Sequence, residues 1–186
     1  MPARYWRLLE SREISDHKIF RLIADRYRLE PEGRERDFFK FSASDWINVI
    51  PLTDQQEVVM VRQFRHGVQE VTLEIPGGMI DGDESPAVAA GRELREETGY
   101  RSQKIRSLGK VWPNPAIQTN QCHFFLAEDV RYEGSPQPDP YERIEVVTVP
   151  LAEIPRMLAD GQIRHALVVT AFAMLGVVAN GESPGG

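Results

Sequence analysis

The segment from Val71 to Tyr100 limits the possible folds more than any other part of the chain. Val71-Thr-Leu-Glu-Ile reads as a strand and stops at Pro76-Gly77-Gly78, where a fixed φ followed by two unrestricted residues allows a tight loop. Beyond the loop, Ser85 is placed to cap a helix whose first position is Pro86, a site that tolerates proline because the missing N–H would be unpaired anyway. Gly99 supplies the left-handed residue that commonly closes a helix, so the spacing predicts a helix from Pro86 to Thr98. On it, Ala87, Gly91, Leu94 and Thr98 follow helical spacing on one face, and Ala89-Ala90-Gly91 permits close approach to a sheet. Strand, glycine loop and sheet-packed helix thus follow one another within thirty residues.

The same helix carries an acidic edge. Glu93 and Glu97 are four residues apart and Glu96 is three from Glu93, so their carboxylates crowd one side, held outward by the packed face. Like charges at these spacings cost roughly 0.2–0.5 kcal/mol each unless a cation sits among them, and a hard divalent ion such as Mg²⁺ suits an all-oxygen set.

At 186 residues the chain has room for one domain with an elaboration. Residues 1–45 hold strand-like pieces, Lys18 to Ala24 and Asp37 to Ser42, around the turn at Glu30-Pro-Glu-Gly-Arg, and read as a small antiparallel sheet. The main domain is expected over 46–180, with a frayed tail at 181–186. Within it, Trp46 to Leu52, Val58 to Arg65, Ser107 to Trp112, Cys122 to Glu128 and Glu145 to Val149 read as strands. A Pro/Asn loop spans Pro113 to Asn120 and a proline-rich loop Gly134 to Tyr141, with Pro136, Pro138 and Pro140. Leu151 to Asp160 and Arg164 to Val178 read as helices separated by Gly161.

From Gly78 to Tyr100 the sequence reads Gly-Met-Ile-Asp-Gly-Asp-Glu84-Ser-Pro-Ala-Val-Ala-Ala-Gly-Arg92-Glu93-Leu-Arg-Glu96-Glu97-Thr-Gly99-Tyr100. It resembles the Nudix box G-x5-E-x7-R-E-U-x-E-E-x-G-U and departs from it only at Tyr100, where an aliphatic residue is usual. The resemblance implies an α/β (α+β) fold, an α/β/α sandwich with a mixed sheet, preceded here by the small N-terminal antiparallel sheet. It implies that Glu93, Glu96 and Glu97, with the carbonyl of Gly77, bind Mg²⁺ (Mn²⁺ serving as well) and that Arg92 orients the carboxylates. Glu84 contributes to the metal network or to the loop–helix junction. The implied chemistry is phosphoryl transfer to water, with Glu96, Glu97, Arg92 and the late-loop Glu142 as catalytic residues. Pro140 stands where some relatives carry a second glutamate, so Glu142 or a box glutamate is the base; Glu145 is its rival, read as outward on a strand whose inward set holds Ile144 and Val146.

Outside the box, from about Trp46 to Leu175, the chain is similar to the ADP-ribose and nucleotide-sugar pyrophosphatase branch. Val61-Arg-Gln-Phe-Arg65 and Leu73-Glu74-Ile-Pro-Gly-Gly assign Arg65 and Glu74 to substrate, and Pro115 stands where that branch has a characteristic proline. Gln118 and Asn120 could hydrogen-bond sugar hydroxyls. Among Trp6, Phe20 and Trp46, Trp46 is the preferred platform for a base. His17, His66, His123 and His165 show no zinc spacing and read as surface or locally bonded residues. The resemblance also implies a homodimer acting on a nucleotide sugar, ADP-ribose first.

A net charge of -6 and a pI near 5.3 argue against nucleic acid or an anionic membrane as partner. The single cysteine, Cys122, excludes an internal disulfide, and the start of the chain shows no secretory pattern, so cytoplasm is expected. Ala166 to Ala179 is too short for a comfortable membrane span. Two other classes stay open: a Nudix pyrophosphatase for another nucleoside diphosphate derivative, and a non-catalytic Nudix ligand-sensing module, whose usual decayed box or attached DNA-binding domain is not seen.

Overall fold

Residues 5–137 and 141–177 are described by a computed structural model, and their backbone contacts divide the chain into two units. Pro138, Pro140 and the tail 181–186 lie outside the described residues.

The smaller unit comprises Met1–Asp45 and Trp112–Gln121. Its strands β1 (Trp6–Asp16), β2 (Arg21–Leu29) and β3 (Arg34–Ser42) form an antiparallel sheet in the order β1-β2-β3. β1 was not distinguished in the sequence because its residues are almost all exposed and its side chains show no apolar alternation. Asp25 is buried and bonded by Ser11 and Lys40, whose combined effect outweighs desolvation and lowers its carboxyl pKa. The segment 112–121 ties to β3 through Phe41 N–H to the Ile117 carbonyl at 2.7 Å and Thr119 N–H to the Phe41 carbonyl at 3.1 Å.

The larger unit comprises Trp46–Val111 and Cys122–Gly186. Its main strands are β4 (Trp46–Leu52), β5 (Glu57–Arg65), β6 (Glu70–Glu74), β7 (Gly77–Met79), β9 (Lys104–Val111), β10 (Cys122–Glu128) and β12 (Ile144–Pro150). They run β12-β5-β4-β10-β9, with β6 on β5 and β7 on β4. β4 and β10 are parallel and the other pairs antiparallel, giving the mixed sheet expected. The short strands β8 (Tyr100–Arg101) and β11 (Arg131–Tyr132) pair separately.

Strand alternation builds two cores, one on each face. Ile50, Val58, Met60, Phe124 and Leu126 meet Ile154, Met157, Val168 and Phe172 of helices α2 (Ile154–Ala159) and α3 (Ala166–Leu175). Ile47, Val49, Val59, Phe125 and Ala127 meet Ala89, Ala90 and Leu94 of α1 (Pro86–Thr98) on the other. The result is the α/β/α sandwich. Among the described residues no helix is long and apolar enough to cross a membrane.

Helix α1 starts and stops where its caps dictate: the Val88 N–H donates to Ser85 Oγ, and Gly99, at φ 75°, donates its N–H to the Arg95 carbonyl. Its packed face differs from the expected one. Ala89, Ala90, Leu94, Glu97 and Thr98 are buried, while Ala87 is exposed and Gly91 half-buried. Hydrophobic spacing located the Leu94/Thr98 row but missed that the row Ala89–Glu93–Glu97 beside it turns toward β7. There Gly77 and Gly78 present no side chains. These glycines form strand β7, where only a loop was expected, because the bare backbone fits against β4: a Cβ on Gly77 would lie 2.2 Å from Asn48 Nδ2 and 2.5 Å from the Ile47 carbonyl oxygen. The two C-terminal helices are shorter than expected, the first beginning with a 3₁₀ turn at Leu151–Glu153 and the second stopped by Gly176 at φ 87°.

Candidate active site

The acidic row of α1 lies against β7 rather than facing outward. A Cβ on Gly78 would stand 2.2 Å from Glu93 Oε1, so the carboxylate occupies the space a side chain would take. The Gly77 N–H donates to Glu97 Oε2 at 3.3 Å. Glu97 is only 4% exposed. Burial first, then the charges of Glu93 and Glu142, push its carboxyl pKa well above the ordinary value, with the Gly77 N–H and Arg65 opposing. Burial raises Glu93 too, although Arg92 pulls the other way.

Arg92 organises this edge. Nη1 donates to Glu93 Oε1 at 2.8 Å and to Glu96 Oε2 at 3.2 Å, while Nη2 donates to Glu84 Oε1 at 2.6 Å and to the Met79 carbonyl at 3.0 Å. Glu84 also accepts from the Asp81 N–H at 2.9 Å, and the Arg92 bond, then this one, hold its carboxyl low. Glu84 thus ties the loop to the helix.

Arg65, at the end of β5, grips Glu74, at the end of β6, with two parallel bonds: Nε to Oε1 at 2.7 Å and Nη2 to Oε2 at 2.6 Å. Thr72 adds its hydroxyl to Oε1 at 2.5 Å. Glu74 is 1% exposed; burial opposes its charge, but the Arg65 and Thr72 bonds win and its carboxyl sits below the usual value. Arg65 keeps 41% of its side chain exposed. Glu142 accepts from Gln63 Nε2 at 3.4 Å, whereas Glu145 points away and pairs with Arg62 at 3.3 Å, both exposed.

These groups line one cavity of about 780 Å³ within the larger unit. Trp46, Arg65, Glu74, Gly77, Arg92, Glu93, Glu96, Glu97 and Glu142 all border it. Pro115 and Gln118 instead line a cavity of the smaller unit, and Asn120 is buried with neither amide atom hydrogen-bonded among the described residues. Sequence reasoning missed Asn48, Leu167 and His165, which also border the carboxylate cavity. No local signal marks His165: it directly precedes the apolar helix α3 and reaches the cavity only because that helix returns across the sheet.

A family model, the NUDIX domain, matches residues 45–172, most of the chain. The chain belongs to the Nudix family. Over 173 residues it is 30% identical to an ADP-ribose pyrophosphatase of Bacillus subtilis (strain 168), covering 89% of this chain and 91% of that protein. It is also 30% identical over 159 residues to an ADP-sugar pyrophosphatase of Mus musculus, covering 75% and 72%. A crystal structure of an ADP compounds hydrolase shares the fold, with a TM-score of 0.82 at 22% identity over 92% of each chain.

Nudix hydrolases generally use a divalent metal, and the donor chemistry here fits one. The box offers oxygens alone; Glu97 is a buried carboxylate repelled by Glu93 and Glu142, and Glu93 is half-buried and repelled by Glu96 and Glu142 despite its bond to Arg92. Among the described residues no three acidic, His or Cys side chains already close round a single point, Glu93 and Glu96 being turned to Arg92.

Proposed function

We propose that this Nudix chain is a Mg²⁺-dependent pyrophosphatase, with Mn²⁺ able to substitute, that hydrolyses the diphosphate of a nucleoside diphosphate sugar. ADP-ribose is the leading substrate, and the products are a nucleoside monophosphate and a sugar phosphate. The observation that carries the reading is one cavity bordered both by the box carboxylates with Glu142 and by the half-exposed Arg65 cation. The names of the relatives support the substrate class.

In this reading Glu93, Glu96 and Glu97, with the Gly77 carbonyl, hold the metal. The metal supplies charge neutralisation for the diphosphate and makes water nucleophilic at neutral pH. Arg92 fixes the carboxylates through its bonds to Glu84, Glu93 and Glu96. Glu142 takes the proton of the attacking water. Arg65, preorganised by Glu74, offers its remaining N–H groups to substrate oxygens, and Trp46 offers a flat apolar wall. A homodimer and a cytoplasmic setting belong to the same proposal, on the family resemblance and the single cysteine.

The test is release of nucleoside monophosphate from a panel of nucleotide sugars, ATP and dinucleoside polyphosphates, with and without Mg²⁺. A kcat/KM for ATP equal to that for ADP-ribose would remove the protein from this substrate class.

A further inference from the structure

Among the described residues the bonds to Glu74 leave one place open. An ionised carboxylate has about four lone-pair sites. On Oε1 both are taken, by Arg65 Nε and the Thr72 hydroxyl, and on Oε2 one is taken by Arg65 Nη2. Next to the remaining site stands His165, its Nε2 4.0 Å from Oε2, too far for a direct hydrogen bond. Its Nδ1 is buried with no partner among the described residues, so the negative charge of Glu74 favours the tautomer with the proton on Nε2. Both residues border the cavity that holds the box carboxylates.

A single oxygen fits between them only if it donates to the carboxylate and accepts from the imidazole. A phosphate oxygen does the second and is repelled by Glu74, whereas a hydroxyl does both. We propose that His165 is a specificity-determining residue that, together with Glu74, bridges one sugar hydroxyl of the substrate. The proposal rests on the nucleotide-sugar reading above and deepens it: the enzyme selects the sugar by a hydroxyl, and His165 is part of the reader.

The experiment compares ADP-ribose with analogues in which one ribose hydroxyl at a time is replaced by hydrogen, in the wild type and in His165→Phe, His165→Gln and His165→Asn. Each comparison is a ratio of kcat/KM within one variant, so a smaller folded fraction cancels. In the wild type one deoxy analogue should be about tenfold or more poorer than ADP-ribose, the range of one charge-assisted hydrogen bond. That penalty should shrink in His165→Phe, which keeps only the bond to Glu74. It should persist in full in His165→Gln, whose amide reaches the Nε2 position, and shrink in His165→Asn as in His165→Phe, since its amide reaches only the Nδ1 position. A wild type that hydrolyses ADP-ribose with no hydroxyl-specific penalty overturns the inference alone, as does a His165→Phe enzyme that loses one common factor on every analogue. A wild type that cleaves no nucleotide sugar overturns the function proposed above and this inference with it.

Discussion

Replacing Glu97 by Gln separates the stability of the fold from the chemistry of the site, because the two should move in opposite directions. In the metal-free protein the Glu97 carboxylate is buried, repelled by Glu93 and Glu142, and supported among the described residues by the Gly77 N–H at 3.3 Å and by Arg65. Gln keeps the shape and an oxygen that can accept from Gly77, and removes the charge. Relief of an under-satisfied buried polar group is worth about 1–3 kcal/mol. For a chain of this length each kcal/mol moves the melting temperature by about 2–4 °C. Metal-free Glu97→Gln should therefore melt at least about 2 °C above the metal-free wild type. With Mg²⁺ at a hundred times its dissociation constant the wild type should gain about 2.7 kcal/mol, or some 5–11 °C, and the variant far less. Hydrolysis should fall about 100- to 1,000-fold, the loss typical of one electrostatic catalytic group. Differential scanning calorimetry with and without Mg²⁺, beside steady-state kinetics, gives all three quantities. A variant that melts below the wild type without metal would show that the ionised carboxylate is a structural asset, and retained turnover would end the metal-helix mechanism.

Glu142→Gln should lower kcat and kcat/KM together by about tenfold or more, while Glu145→Gln, which breaks only the exposed pair with Arg62, stays near wild type; a reversal of the two in steady-state kinetics would move the late carboxylate to Glu145. Gly77→Ala should destabilise by about 1–3 kcal/mol in urea melts, since its Cβ would meet the Ile47 backbone, whereas Gly78→Ala displaces the Glu93 carboxylate and should cost activity more than stability. The metal-free protein should also respond to pH from both sides. Glu97 and Glu93 are raised, so the native state holds protons the unfolded chain has released, and stability is lost as pH rises above the ordinary glutamate value of 4.5. Glu74 and Glu84 are lowered, so their contribution is lost as pH falls below 4.5. Urea melts across pH check this, and Glu97→Gln should flatten the alkaline limb.

What the sequence disclosed and what it withheld divide along the range of the interactions. The limits of α1 were legible because a cap acts within a turn: Ser85 answers Val88, and Gly99 answers Arg95. The strands β4, β5 and β10 were legible as short apolar runs bounded by turn residues, and the mixed sheet followed from the resemblance to the Nudix box; the division of those runs into two cores, one on each face, is what the structure adds. The direction of the glutamates was not, since spacing on a helix shows which residues share a side and not what the side meets. Here the partner is a pair of glycines, which carry no hydrophobic signal at all. Their bare backbone lets Glu93 and Glu97 sink into the protein, and that burial, more than the repulsion of neighbouring glutamates, raises their carboxyl pKa. His165 was withheld for a similar reason. It shares the cavity with Glu74 across a gap of more than ninety residues in sequence, closed by the packing of α3 on the sheet, and no window short enough to show a motif contains both. A Nudix box thus announces the chemistry locally, while the residues proposed to choose among substrates are assembled by the tertiary fold. On the proposal above, variants at His165 and Glu74 should change which nucleotide sugar is cleaved, and variants at Glu97 whether any is cleaved.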